Sequence, residues 1–188
     1  MGTMPEVVVG AVLAAGAGRR YGMPKILAQQ GEWLQSAVRA LGDGGCDEVV
    51  VAMGAATVEP PLGARGLMVP RWSDGLSETV RAVLADVAAR PEVAAVVLHV
   101  VDVADVDGQV VARILDVADG RRDRLVRARF RGVPGHPVFI GAAHHAGVRD
   151  AVRGDVGAAV YLRAHADRVI EVECGDLARG TDQDHRRG

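Results

Sequence analysis

Three glycines and three cations crowd one short stretch near the start of the chain: Gly16, Gly18 and Gly22 with Arg19, Arg20 and Lys25. Glycine opens the backbone to conformations that other residues avoid, so such a stretch can turn several N–H groups toward one point. That arrangement holds an anion, and the neighbouring cations suit a polyphosphate. Groups of another kind stand further along. Asp102 ends an apolar run, where a carboxylate either holds Mg²⁺ against phosphate oxygens or serves as a loop acid or helix cap. His136 sits between Pro134 and Pro137, either positioning a substrate or closing a turn through a hydrogen bond. Two late carboxylates, Asp182 and Asp184, lie in a polar tail. No Ser-His-Asp or Cys-His set stands at a plausible spacing.

Other readings of the glycine stretch fit less well. A dinucleotide-binding turn needs G-x-G-x-x-G and an acid about 20 residues on. Here the third glycine comes one place late, and only Asp43 is on offer, within a Gly-rich loop. A P-loop needs Ser or Thr after its lysine, and Lys25 is followed by Ile26. The apolar run Val7–Ala17 resembles the middle of a secretory leader, but Glu6 precedes it with no Lys or Arg, so it reads as a first strand.

Elements must bring these groups together. Val7–Leu13 is short, Val-rich and without helical period, which predicts a buried parallel strand. Trp33, Leu34, Ala37, Val38 and Leu41 form a helical stripe, ended by Gly42, Gly44 and Gly45. Strands are expected at Asp47–Met53, Leu67–Val69 and Val93–Val101. Helices are expected at Leu76–Ala89 and from a cap at Asp107 to Ala118. This alternation predicts an α/β fold, a mostly parallel sheet covered on both faces. Ligands of such sheets sit beyond the carboxyl ends of the strands. Gly16–Lys25, Trp72–Ser77 and Asp102 each follow a strand, so all three are expected on one edge. After the charged turn Arg121–Arg124, strands are expected at Leu125–Phe130 and Pro137–Ile140 around a rigid loop, Arg131–His136. Helices at Ala142–Val152 and Gly157–His165 and a strand at Val169–Cys174 follow. Ser77 is either a first-turn cap or a ligand contact, with Arg81 on the same helix face; Asp155 reads as a helix cap. His99 reads as a core residue, and the adjacent His144 and His145 diverge.

Composition bounds the possibilities. A chain of 188 residues, 49% hydrophobic and 24% charged, suits one domain with its own core. Aromatics are only 3% and the net charge is −2, which argues against base-stacking platforms and against a general attraction to nucleic acid or membrane. Cys46 and Cys174 stand far apart and read as reduced thiols of a cytoplasmic protein. No apolar run is long enough for a membrane helix.

The pattern Leu13-Ala14-Ala15-Gly16-x-Gly18-x-Arg20-x-Gly22-x-x-Lys25 resembles the signature loop of the MobA-like nucleotidyltransferases, and among them most resembles the molybdenum cofactor cytidylyltransferases. Gly132-Val133-Pro134-Gly135-His136-Pro137-Val138 is similar to that family's Gly-x-Pro-Gly-His-Pro-Val. Gly75-Leu76-Ser77 is similar to its Gly-Leu-Ser, and Asp182-Gln183-Asp184 to the start of its tail motif. Two stretches depart from it: Val103-Ala104 replaces Gln-Pro after Asp102, and His185-Arg186-Arg187 follows Asp184. The likeness covers nearly the whole chain.

The resemblance implies a three-layer Rossmann-like sandwich of the nucleotide-diphospho-sugar transferase type, with residues 1–188 as one domain. It implies Mg²⁺-dependent transfer of a nucleoside monophosphate from a nucleoside triphosphate to a phosphorylated acceptor, with release of pyrophosphate. The Gly16, Gly18 and Gly22 backbone and Arg20 would hold the triphosphate, with Lys25 on its phosphates. Leu13, Ala14 and Ala15 with Gly75, Leu76 and Ser77 would place the nucleotide, His136 the acceptor, and Asp102 and Asp184 the Mg²⁺. Ala14-Ala15-Gly16 and Pro24-Lys25 are nearer the cytidylyl than the guanylyl branch, which implies CTP, molybdopterin as acceptor and a molybdoenzyme partner. A guanylyltransferase, another transferase of this fold, or a non-catalytic nucleotide-binding partner of molybdoenzymes are the alternatives.

Overall fold

The computed structural model describes residues 6–182. Seven strands form one sheet in the order β3-β2-β1-β4-β6-β5-β7. They are β1 Val7–Leu13, β2 Glu48–Met53, β3 Ala64–Met68, β4 Val93–Val100, β5 Leu125–Phe130, β6 Val133–Gly141 and β7 Val169–Glu173. Six share one direction, and only β6 runs against its neighbours β4 and β5. β1 and β4 are flanked on both sides and covered on both faces, which is why their sequences are almost continuously apolar.

Helices α1 Glu32–Asp43 and α3 Gly108–Ala118 cover one face, burying Leu34, Val38, Leu41, Val110, Val111 and Ile114. On the other face lie α2 Leu76–Val87, α4 His145–Ala151 and α5 Ala159–Ala164, with Val80, Val83, Leu84, Val148 and Leu162 inward. Fully burying such side chains stabilises the fold by about 1.5–3 kcal/mol each. Asp107 caps α3 as expected, accepting from Gln109 N–H at 2.9 Å.

Three expectations need correction. The third strand starts earlier and ends sooner than Leu67–Val69. Of the two expected helices, Ala142–Val152 opens as a 3₁₀ turn, Ala142–His144, before α4, and Gly157–His165 shortens to α5. The expected loop at Arg131–His136 is mostly strand: only Arg131 (φ 51°) and Gly132 (φ 85°) turn, and β6 begins at Val133. Two central residues at positive φ make the tight hairpin that suits strand twist. The prolines are tolerated where the β5–β6 register shifts, between Arg127 and Arg129.

Candidate active site

The groups expected to converge do so at the carboxyl edge of the parallel strands. There the protein carries a cavity of about 380 Å³, lined by Leu13, Ala14, Ala15, Gly16, Gly18, Arg19 and Lys25 from one side and by Gly75, Leu76 and Asp102 from others. β1 hands the chain to the glycine loop through Ala14, whose N–H still pairs with Ala52 O at 3.1 Å. The loop then folds on itself. Gly18 takes φ +61°, and a Cβ there would collide with the Met23 carbonyl oxygen, so no other residue fits. Gly22 N–H donates to Gly18 O at 2.9 Å, so Gly22 closes the loop rather than lining the cavity. Arg20 is exposed and outside the lining, whereas its neighbour Arg19 lines it.

Lys25 opens a 3₁₀ segment, Lys25–Gly31, anchored by buried Ile26 and Ala28. Its Nζ stands 2.5 Å from Asp102 Oδ2, with the two side chains only 16% and 15% exposed. The expected phosphate-binding lysine and the expected metal-binding aspartate are therefore ion-paired, a contact that sequence spacing did not reveal. At this burial the attraction is offset by the cost of taking both charges out of water, and each group asks for a replacement partner whenever the pair opens.

Gly75 is the N-cap of α2, where no side chain caps the helix. Ser77 is buried at 1% exposure and lies outside the cavity lining, and its N–H donates to Gly154 O at 2.9 Å. Thr79, further along the helix, lines the cavity instead. Asp155 does not cap a helix: it lines this cavity, beside the Gly75 backbone. Arg81 is not a free surface cation. It pairs with Glu78 and donates to the Arg149 and Val152 carbonyls at the end of α4, bracing the loop that carries Gly154 and Asp155.

A second, larger cavity of about 820 Å³ shares the walls Leu13 and Leu76 with the first. Leu98, Val138, Phe130 and Leu162 give it apolar surface, and His136, Arg127, Arg179 and Asp182 give it polar groups. His136 Nδ1 lies 3.3 Å from Leu98 O. Burial holds its imidazole below the usual range, partly offset by the Leu98 carbonyl and by the charges of Asp182 and Asp102. The neutral ring therefore donates from Nδ1, leaving Nε2 as an acceptor. Arg127 pairs with Glu171 across β5 and β7. Its signal in the sequence was the alternation Leu125, Arg127, Arg129, two cations in an otherwise apolar strand.

Asp184 lies outside the described residues. Asp182 is described and joins His136 in the second cavity. Among the described residues no group of three or more His, Cys, Asp or Glu is clustered for a metal. Asp102, two residues past the end of β4, lines the first cavity and Asp182 the second.

A family model described as the MobA-like NTP transferase domain matches residues 10–169. A curated relative, nicotine blue oxidoreductase of Paenarthrobacter nicotinovorans, is 32% identical, over 94% of this chain and 92% of its own. Rv0371c of Mycobacterium tuberculosis H37Rv has a similar structure, with TM-score 0.73 at 24% identity over 96% of this chain and 94% of that one. The same protein in complex with manganese gives TM-score 0.70 at 23% identity, over 94% of each chain. The 2-C-methyl-D-erythritol 4-phosphate cytidylyltransferase of Thermus thermophilus gives 0.67 at 22% identity, over 95% of each chain. At these identities the solved structures speak to the fold, a mostly parallel sheet with flanking helices.

Proposed function

The chain belongs to the MobA-like NTP transferase family, and from that premise we propose that this nucleotidyltransferase moves a cytidylyl group from CTP to the phosphate of molybdopterin, releasing pyrophosphate. The observation that carries the reading is the Lys25–Asp102 pair, set in the wall of a glycine-lined cavity with a second cavity sharing that wall. The first cavity takes the triphosphate on the Gly16–Gly18 backbone and Arg19, with Arg20 able to swing in from the exposed side of the loop. Leu13–Ala15 and Gly75–Leu76 hold the nucleoside. The second takes the acceptor, with neutral His136 as a positioning group.

The acceptor brings its own nucleophile, so the protein supplies alignment and charge. A phosphate oxygen of the acceptor bonds to the α-phosphorus, the bond to the β-phosphate bridging oxygen breaks, and its electron pair leaves with pyrophosphate. Lys25 gives up Asp102 for the phosphates and meets the charge as it moves to the leaving group. Asp102 and a tail carboxylate, Asp184 by motif and Asp182 by position, would hold Mg²⁺ or Mn²⁺. When bound, that ion supplies charge neutralisation at the phosphates.

Pyrophosphate release from CTP, GTP, ATP and UTP, with and without molybdopterin, tests the reading. The expected result is release that needs acceptor and divalent metal and favours CTP; no release with any triphosphate overturns it.

A second reading comes from the curated relative, whose name describes an oxidoreductase. In it, the glycine loop holds the phosphates of a redox nucleotide and the apolar cavity takes a flat substrate. The apolar lining of the larger cavity, Leu98, Phe130, Val138 and Leu162, is what favours it. Oxidation of reduced nicotinamide nucleotide by an added quinone, without pyrophosphate release, is the outcome that would select it.

A further inference from the structure

The chain leaves β7 at the ligand edge and runs back across it. Arg179, Gly180, Thr181 and Asp182 form one wall of the larger cavity. Three ties fasten this strap. Arg113 of α3 grips Asp176 at 2.6 and 2.8 Å. Leu177 and Ala178 N–H donate to Cys174 O at 2.9 and 3.1 Å. Nearest the cavity, Asp105 Oδ2 accepts from Arg179 N–H at 2.7 Å and Gly180 N–H at 3.2 Å. Asp105 follows Asp102 by three residues, so one carboxylate ties together the two segments that carry Asp102 and Asp182.

The strap is shaped for that tie. Gly180 takes φ +63°, and a Cβ there would run into the Phe130 ring, so the backbone passes flat over the aromatic side chain. Hydrogen bonds to a charged carboxylate are roughly twice as strong as neutral ones. Asp105 itself lines neither of the two cavities described above.

We propose that Asp105 is a positioning residue: by holding the Arg179 and Gly180 amides it fixes the strap, with Asp182, as the outer wall of the acceptor cavity. The kinetic consequence rests on the nucleotidyl-transfer reading; the docking of the strap does not.

Wild type, Asp105→Ala, Asp105→Asn and Gly180→Val are compared in two measurements. Tryptic cleavage after Arg179, followed by mass spectrometry of the full chain, reads docking. Asp105→Ala and Gly180→Val should be cut about tenfold faster, the fold-change of losing roughly 1.4 kcal/mol of hydrogen bonding or contact. Asp105→Asn keeps an acceptor oxygen but loses the charge, and should be cut at a rate between wild type and Asp105→Ala. Steady-state kinetics read function. Asp105→Ala should lose about 10- to 100-fold in kcat/KM for molybdopterin, while the thermal shift given by CTP is unchanged. Equal cleavage of all four proteins overturns the proposal, as does a freed strap with unaltered acceptor kinetics in an active enzyme. A wild type that releases no pyrophosphate, beside an Asp105→Ala strap that is still cut faster, defeats the nucleotidyl-transfer reading and upholds the docking role.

Discussion

At the scale of single residues, the ion pair of Lys25 and Asp102 explains how one site can wait for its substrate without a buried charge left alone. In the proposed reaction each side chain neutralises the other until phosphate and metal offer better partners. Lys25→Met should therefore cut kcat by about 10²–10³, the range for one preorganised donor. It should also destabilise the free protein by about 3 kcal/mol, because it strands Asp102. The double variant Lys25→Met/Asp102→Leu should regain that stability and stay inactive. Chemical denaturation and pyrophosphate release measure both halves, and a double variant no more stable than the single one would show that the pair is not mutually dependent. The sequence made the residue types legible here but not their partners. Which of two adjacent arginines lines the cavity also escaped it: Arg19 does and Arg20 does not. Asp155 was missed for a similar reason: nothing local to Gly154–Gly157 says that the loop is pressed against the start of α2.

At the scale of elements, the strands and helices through residue 118 follow their apolar periods closely, and the three expected segments meet on one edge. The departures lie where glycine and proline allow more than one path. Arg131-Gly132 makes a two-residue turn, so that His136 belongs to a strand and takes its place from the sheet rather than from a rigid loop. The glycine loop gives the element-scale prediction. Gly18→Ala sets a Cβ against Met23 O and forces the loop open. The free protein should lose about 1 kcal/mol, seen as a fall in Tm of about 2–4 °C for a chain of this size, while stabilisation by CTP disappears. A CTP shift equal to wild type would mean that the loop does not hold the triphosphate.

At the scale of the whole molecule, His99 sits at 0% exposure in the middle of the sheet, with both ring nitrogens unpartnered among the described residues. Burial, with a smaller contribution from His136 nearby, pulls its pKa down to about 3. The unfolded chain takes up this proton near pH 6.5 and the folded one does not. Stability is therefore complete at neutral pH and falls as pH drops from about 6.5 toward 3, by about 1.4 kcal/mol per pH unit. His136 and His145, also lowered by burial, act in the same direction. Asp176, held at about 2 by Arg113, adds its loss only below the ordinary carboxylate range. His99→Leu should narrow the stability difference between pH 7.5 and 5 measured in urea, and an undiminished difference would assign the effect elsewhere. The reversed strand β6 has a consequence at this scale too. Its turn at Arg131-Gly132 borders the larger cavity and carries no helical crossover; the tie that fixes its length is the Glu173 carboxylate at the end of β7, which accepts from the Arg131 and Gly132 N–H groups. Under the proposed reaction, exchanging that short bridge together with its Glu173 anchor between related chains is a route by which new acceptors can be recruited while the glycine loop is inherited intact.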